Sequence, residues 1–131
     1  MASIRDYSDL LQEKRTFAHL ATTMSDGTPQ VTPVWVDYRE GHVLVNTAKG
    51  RVKTRNMQLG SPVALSITDP DNPYRYVQVR GVVSSIHDQD ADGHIDFLAK
   101  KYLGKDRYPW RQAGEQRVIY EIEPQHVQGT P

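Results

Sequence analysis

The chain has 131 residues with 16 basic and 16 acidic side chains, a formal net charge of zero at pH 7, and no cysteine. That length fits one domain, residues 1–131, with a real hydrophobic core; the missing thiols exclude disulfides and thiolate metal sites, and the neutral balance argues against a general nucleic-acid or membrane binder, which carries a broad basic face. No apolar run approaches the roughly 20 residues that cross a bilayer, and the charged opening segment MASIRDYSDLLQEKR does not read as a signal peptide, so a cytoplasmic protein is expected.

The first element is a short helix, with Ser3 as cap and Ile4, Tyr7, Leu10 and Leu11 at helical spacing. The period then changes to two. Residues 16–23, TFAHLATT, predict a strand, and SDGTPQ a turn in which Gly27 takes a positive φ. Residues 31–38, VTPVWVDY, predict one strand that pairs back as a hairpin. Arg39, Glu40 and Gly41 make a second turn, and HVLVNT, residues 42–47, is a strand with Val43 and Val45 on one face.

GRVKTRNMQLG breaks the alternation and predicts a helix with Val52 and Met57 near one side and Gly60 as its stop. PVALSITD, residues 62–69, returns to a strand. Residues 74–87 form a long strand in which Gly81 marks a bulge or a sharp bend. Residues 91–104 read as a helix with Ile95, Leu98 and Tyr102 on one stripe, and residues 117–124, RVIYEIEP, as the last strand. Six or seven strands joined mostly by tight turns favour antiparallel pairing. A barrel, closed or nearly so, manages the sheet edges, and the expectation is a mainly β fold, a small barrel with short peripheral helices.

Residues 47–56, TAKGRVKTRN, concentrate the local charge. Lys49, Arg51, Lys53 and Arg55 alternate with no acid among them. Cations in the first turn of a helix oppose its dipole, where surface optimisation alone would place Asp or Glu. One reading is a solvated basic face. The other is a seat for an anion, with Gly50 letting the backbone come close and Thr47 supplying a hydroxyl. A nucleic-acid reading lacks interleaved aromatics and a basic remainder.

Other patterns carry less. DQDADGHID, residues 88–96, imitates a calcium loop, but Ala99 occupies the twelfth position, which needs a bidentate glutamate; an acidic helix start with Asp90 or Asp92 as cap is the simpler reading. The five histidines are scattered, with no HExxH, so no metal site is expected. There is no GxSxG and no triad.

The order of pieces, LATTMSDGTPQVTPVWV, then VNTAKGRVKTRNMQLGSPVALSITDPDNPYRYVQVRGVV, then GEQRVIYEIEPQHV, resembles the flavin/deazaflavin oxidoreductase superfamily over about residues 8 to 127. That resemblance implies the split β-barrel of pyridoxamine-phosphate oxidases, with six or seven mostly antiparallel strands. The ending YLGKDRYPWRQAGEQRVIYEI is most similar to the small branch that uses the deazaflavin F420. Val52 stands where pyridoxamine-phosphate oxidases tend to carry an arginine. The likeness implies a homodimer with cofactor sites at the subunit interface. It places the cofactor phosphate on Arg51 and Lys53, with Lys49 and Arg55 near further negative charge on the tail. Thr47 would lie by the ribityl–phosphate arm, and the backbone of Pro33, Val34, Trp35 and Val36 along the ring edge. The implied activity is hydride transfer from F420H2 to an electron-poor conjugated small molecule, with no catalytic side chain fixed by a motif. Tyr74, Tyr76, Tyr108 and Arg111 are candidate proton donors, and Trp35 and Trp110 candidate walls for a flat substrate. An FMN-dependent oxidase or reductase of the same fold, or a non-catalytic carrier of flavin, deazaflavin or haem, is the alternative.

Overall fold

Seven strands form one antiparallel sheet in the computed structural model, which describes residues 2–130. They are β1 (Ala18–Thr23), β2 (Pro29–Val34), β3 (Asp37–Arg39), β4 (His42–Ala48), β5 (Pro62–Asp69), β6 (Asn72–His87) and β7 (Arg117–Gly129), in the spatial order β2-β1-β5-β6-β7-β4-β3. A 3-10 turn (Ile4–Tyr7) and three helices, α1 (Ser8–Gln12), α2 (Val52–Asn56) and α3 (Ala91–Leu103), lie around it. Ser3 caps the first turn by accepting from Arg5 N–H, and Asp6 reaches back to Ser3 N–H, so two orphan donors are satisfied reciprocally.

Residues 31–38 are not one strand. They divide between β2 and β3, which pair with β1 and β4 respectively at opposite ends of the strand order. Val34 and Asp37 are only three residues apart, a reach of about 11 Å at most. The two edges of the sheet must therefore approach each other, and the sheet rolls round its core. No ladder joins β2 to β3, so Trp35 and Val36 close the roll covalently rather than by pairing. A lone crossover would leave buried backbone groups unpaired. Here α3 satisfies them: Val36 N–H donates to the Tyr102 hydroxyl (3.1 Å), and Lys101 Nζ donates to the Val36 carbonyl (3.1 Å). Prolines 29 and 33 fit because β2 is an edge strand that needs no donors on its outer side.

The hairpin turn at Glu40 and Gly41 has positive φ at both positions, 51° and 85°, the twist that two-residue hairpins prefer. Gly27 has the expected positive φ, 89°. The register of β6 against β7 shifts at Gly81, where the backbone of Glu123 leaves no room for a Cβ.

Inward residues of the roll include Leu20, Val43, Val45, Leu65, Ile67, Val79, Val118 and Ile122, with Tyr7, Leu10 and Leu11 from the N-terminal helices packed among them. The strand β4 is buried on both faces. Val43 and Val45 face the core, while Leu44 packs outside with Ala91 of α3 and Ile119 of β7. The helix α2 is shorter than its pattern suggests. It ends at Asn56 because Met57, extended at φ −101° and ψ 107°, drives its side chain into the core. Gly60 then pairs with the Val83 carbonyl instead of capping. On α3, Asp90 occupies the N-cap position without a side-chain cap bond, and Gly104 ends the helix at φ 71°.

Candidate functional site

A cleft of about 210 Å³ opens beside the crossover. Pro33, Val34 and Trp35 come from the crossover side, Asn46 and Thr47 from the end of β4, and Arg51 and Lys53 from the start of α2. Ile95 of α3, Phe17, Tyr108, Trp110 and Arg117 complete it. The loop between α3 and β7 is anchored by Asp96, which accepts from Tyr108 N–H (2.8 Å) and from the Arg111 guanidinium (2.6 Å). That anchor brings Tyr108 and Trp110 over Trp35, with ring centroids 6.0 and 6.4 Å away. Trp35 also stacks on Tyr102 at 4.9 Å with the rings 4° apart, so it packs the seam and walls the cleft at once.

The lining contains three cations and, among the described residues, no carboxylate. Lys53 is buried, 9% exposed, and its nearest polar partner is the Thr32 hydroxyl at 3.4 Å. Burial lowers its pKa, and the charges of Arg51 and Arg117 lower it further. An amine surrounded by like charge and without a counterion is a standing cost. Thr47 adds a second unmet demand: its Oγ1 is buried with no hydrogen-bond partner. An anionic group in the cleft would satisfy both, so the residues fit a phosphate-bearing ligand.

Of the ten candidate positions, six line the cleft: Pro33, Val34, Trp35, Thr47, Arg51 and Lys53. Lys49 lies outside it, 3.9 Å from Asp88 and in a separate depression with Asp92 and Glu115. Gly50, at φ 94°, makes the turn into α2. Arg55 is exposed on α2, and Val36 is fully buried with its backbone engaged by α3. Of the four candidate proton donors only Tyr108 lines the cleft; Arg111 is held by Asp96, and Tyr74 is 86% exposed on β6.

Phe17, Asn46 and Arg117 escaped the sequence reading. Arg117 had one available signal. It stands two residues before Ile119 on a strand whose outer face is covered, and a cation in phase with a buried apolar residue needs a partner or a ligand.

A rolled antiparallel sheet, joined at its seam by two residues and carrying a cationic, aromatic-walled cleft beside that seam, defines the split-barrel class. A family model described as pyridoxamine 5'-phosphate oxidase matches residues 5–130. The chain belongs to that family of oxidoreductases. A solved structure described as an F420 reductase is 32% identical, with a TM-score of 0.77 over 92% of this chain and 94% of that one. An FAD-binding protein from Mycobacterium smegmatis (21% identity, TM-score 0.67, 98% and 94% covered) and a conserved hypothetical protein from Mycobacterium tuberculosis (20%, 0.72, 98% and 84%) share the fold. No curated protein matched. No helix among the described residues is long and apolar enough to cross a membrane.

Proposed function

We propose that the protein is an F420H2-dependent reductase that transfers a hydride to an electron-poor conjugated small molecule. The observation that carries this reading is the cleft without a carboxylate in its lining, in which buried Lys53 has no counterion and the Thr47 hydroxyl has no hydrogen-bond partner. The likeness to an F420 reductase at 32% identity supports the deazaflavin reading over FMN.

The bound deazaflavin supplies the hydride from its central ring carbon. Arg51 and Lys53 hold its phosphodiester, and Thr47 donates to an oxygen of the same arm. The end of β2 and the start of the crossover, from Pro33 to Trp35, orient the ring. Trp110 and Phe17, both more than half exposed, cover a flat acceptor and exclude water from the ring face. Tyr108, which lines the cleft, is the proposed donor of the proton to the reduced acceptor. A cleft of about 210 Å³ in one chain is below the roughly 300–1,000 Å³ usual for a ligand of this kind. A second copy of the chain completes the site, as a homodimer requires, with exposed Phe17 and Val31 as apolar edges for that contact.

Titration of the purified protein with F420 and, separately, with FMN tests this, followed by the rate of F420H2 oxidation with quinones and enones. F420 binding with turnover is the expected result. Tight FMN binding with no response to F420 overturns the cofactor assignment, and F420 binding without oxidation of F420H2 across the panel overturns the reductase.

A further inference from the structure

Behind the cleft, on the covered outer face of β4 and β7, runs a buried chain of polar side chains that the proposed reaction does not use directly. Asp37, at the start of β3, accepts from the His94 ring at 3.0 Å. The other ring nitrogen of His94 meets Asn46 Nδ2 at 3.1 Å. Asn46 in turn accepts from Arg117 Nε through its Oδ1 (2.9 Å) and through its backbone carbonyl (3.3 Å, from a terminal nitrogen). His94, Asn46 and Arg117 are 5%, 9% and 6% exposed, yet Asn46 and Arg117 both line the cleft.

The direction of every bond in this chain is determined by chemistry. A guanidinium only donates and a carbonyl only accepts. Asn46 must therefore turn its oxygen to Arg117 and its amide nitrogen to the Ala91 carbonyl, 2.8 Å away. The same amide nitrogen then donates to His94 Nδ1, which has to present a lone pair. The His94 proton is left on Nε2, aimed at the Asp37 carboxylate. Burial opposes ionisation of Asp37, but bonds from His94 and from Tyr38 N–H, with Lys101 nearby, outweigh it and keep its pKa low. Each link is satisfied in only one arrangement, so a fixed charge at one end sets the position of the fork at the other.

Arg117 has five N–H groups. Three are engaged: one by Asn46 Oδ1, one by the Asn46 carbonyl and one by Glu115 at 3.1 Å. Five minus three leaves two, one on each terminal nitrogen, on a side chain that borders the cleft and packs over the Tyr108 ring at 5.0 Å. We infer that Arg117 is a third ligand-contacting group of the cleft, donating its two remaining N–H groups to a phosphate-type oxyanion, and that Asp37, His94 and Asn46 are its positioning residues. The inference rests on reading the cleft as an anion seat. It adds to that reading a geometric requirement: a planar double donor held in fixed orientation by its buried partners, where Lys53 supplies mainly charge and Arg51 is an exposed guanidinium.

Inorganic pyrophosphate, as the anion alone, separates this inference from the choice of cofactor. Its binding is read from the rise in melting temperature with concentration, in wild type, Asp37→Asn, Arg117→Gln and the double variant. Asp37→Asn is nearly isosteric but no longer fixes the His94 tautomer. Each single variant should weaken pyrophosphate binding by about tenfold, and the double variant by about the same tenfold, because Asp37 acts only through Arg117. Losses that multiply in the double variant to about a hundredfold overturn the positioning role. A wild-type protein whose melting temperature ignores pyrophosphate overturns the inference outright, whereas binding of pyrophosphate without F420 or FMN overturns only the cofactor reading. Ring 15N shifts of His94 test the chain with no substitution at all: the Nε2–H tautomer is expected, and an Nδ1–H tautomer breaks it.

Discussion

The molecule has two dense clusters of charge, and they are built on opposite rules. In the first, at the β5–β6 hairpin, Arg75 grips Asp9 of α1 through two nitrogens (2.8 and 2.9 Å) and reaches Asp69 at 3.1 Å, while Lys14 bridges Asp69 (2.9 Å) and Asp71 (3.0 Å). Every cation there has an acid. The hydrogen bond from Lys14, with further bonds from Asp71 N–H and Arg75, pulls Asp69 down to about 2. In the second, the cleft, Arg117 has Glu115 at 3.1 Å, but Lys53 and Arg51 beside it have no acid, and the buried Lys53 amine is made less basic by burial and by its cationic neighbours. The first cluster ties α1 to the sheet and needs nothing more. The second holds a buried cation that no acid of its lining offsets. Matched charge marks architecture, and unmatched like charge marks a place where something else must sit.

The sharpest way to break that contrast is Lys53→Met. Removing an uncompensated cation should cost about a hundredfold or more in F420 affinity and yet raise the melting temperature of the ligand-free protein by about 2–4 °C. A fall in melting temperature would place Lys53 among the architectural charges. Next in size, Asp69→Asn should lower the melting temperature by about 5 °C while leaving F420 affinity unchanged. The carboxyl's depressed pKa means its stabilisation is present above about pH 4 and is lost as the pH falls toward 2. The variant should therefore lose less stability than wild type across that acid window. Salt offers a third discrimination: between 50 and 200 mM, F420 affinity should fall by about tenfold with little change in melting temperature.

Lys101 gives the smallest effect and lies between the two rules, since carbonyls rather than acids satisfy it. Burial drags its pKa from 10.5 to about 8. The unfolded chain thus holds this proton more tightly than the folded one, and stability should climb with pH between about 8 and 10. Lys101→Met should flatten that rise by about 1 kcal/mol, measured by denaturant titration at pH 7.5 and pH 9.5.

Much of the fold was legible because its signals are local. The alternation of Val63, Leu65 and Ile67, the positive φ at Gly27 and the bulge at Gly81 all follow from side-chain period and glycine chemistry. The break at Trp35 and Val36 was not legible, because Val34, Trp35 and Val36 are all β-formers and say nothing about which partner each half of the segment will find. The end of α2 was misplaced for a related reason: the burial of Met57 is decided by the core and not by the helix. At the cleft, the basic run exposed Arg51 and Lys53 directly. It could not separate them from Lys49 and Arg55, since that depends on how a five-residue helix is set against β2. Arg117 and its supporting chain lay hidden in sequence distance, with Asp37, Asn46, His94 and Arg117 spread over eighty residues of chain and joined only when β4, β7 and α3 come together.

The two-residue crossover has one more effect. In most open sheets the outermost strands stand apart, and each offers a free row of amides and carbonyls on which a stray chain can template itself. Here both margins are leashed together by Trp35 and Val36, and one of them carries two prolines with nothing to donate. With no N–H at Pro29 or Pro33, the outer row of β2 is broken at two places where an added strand would need a donor, so this margin of the seam is blunted against β-assembly by its own sequence.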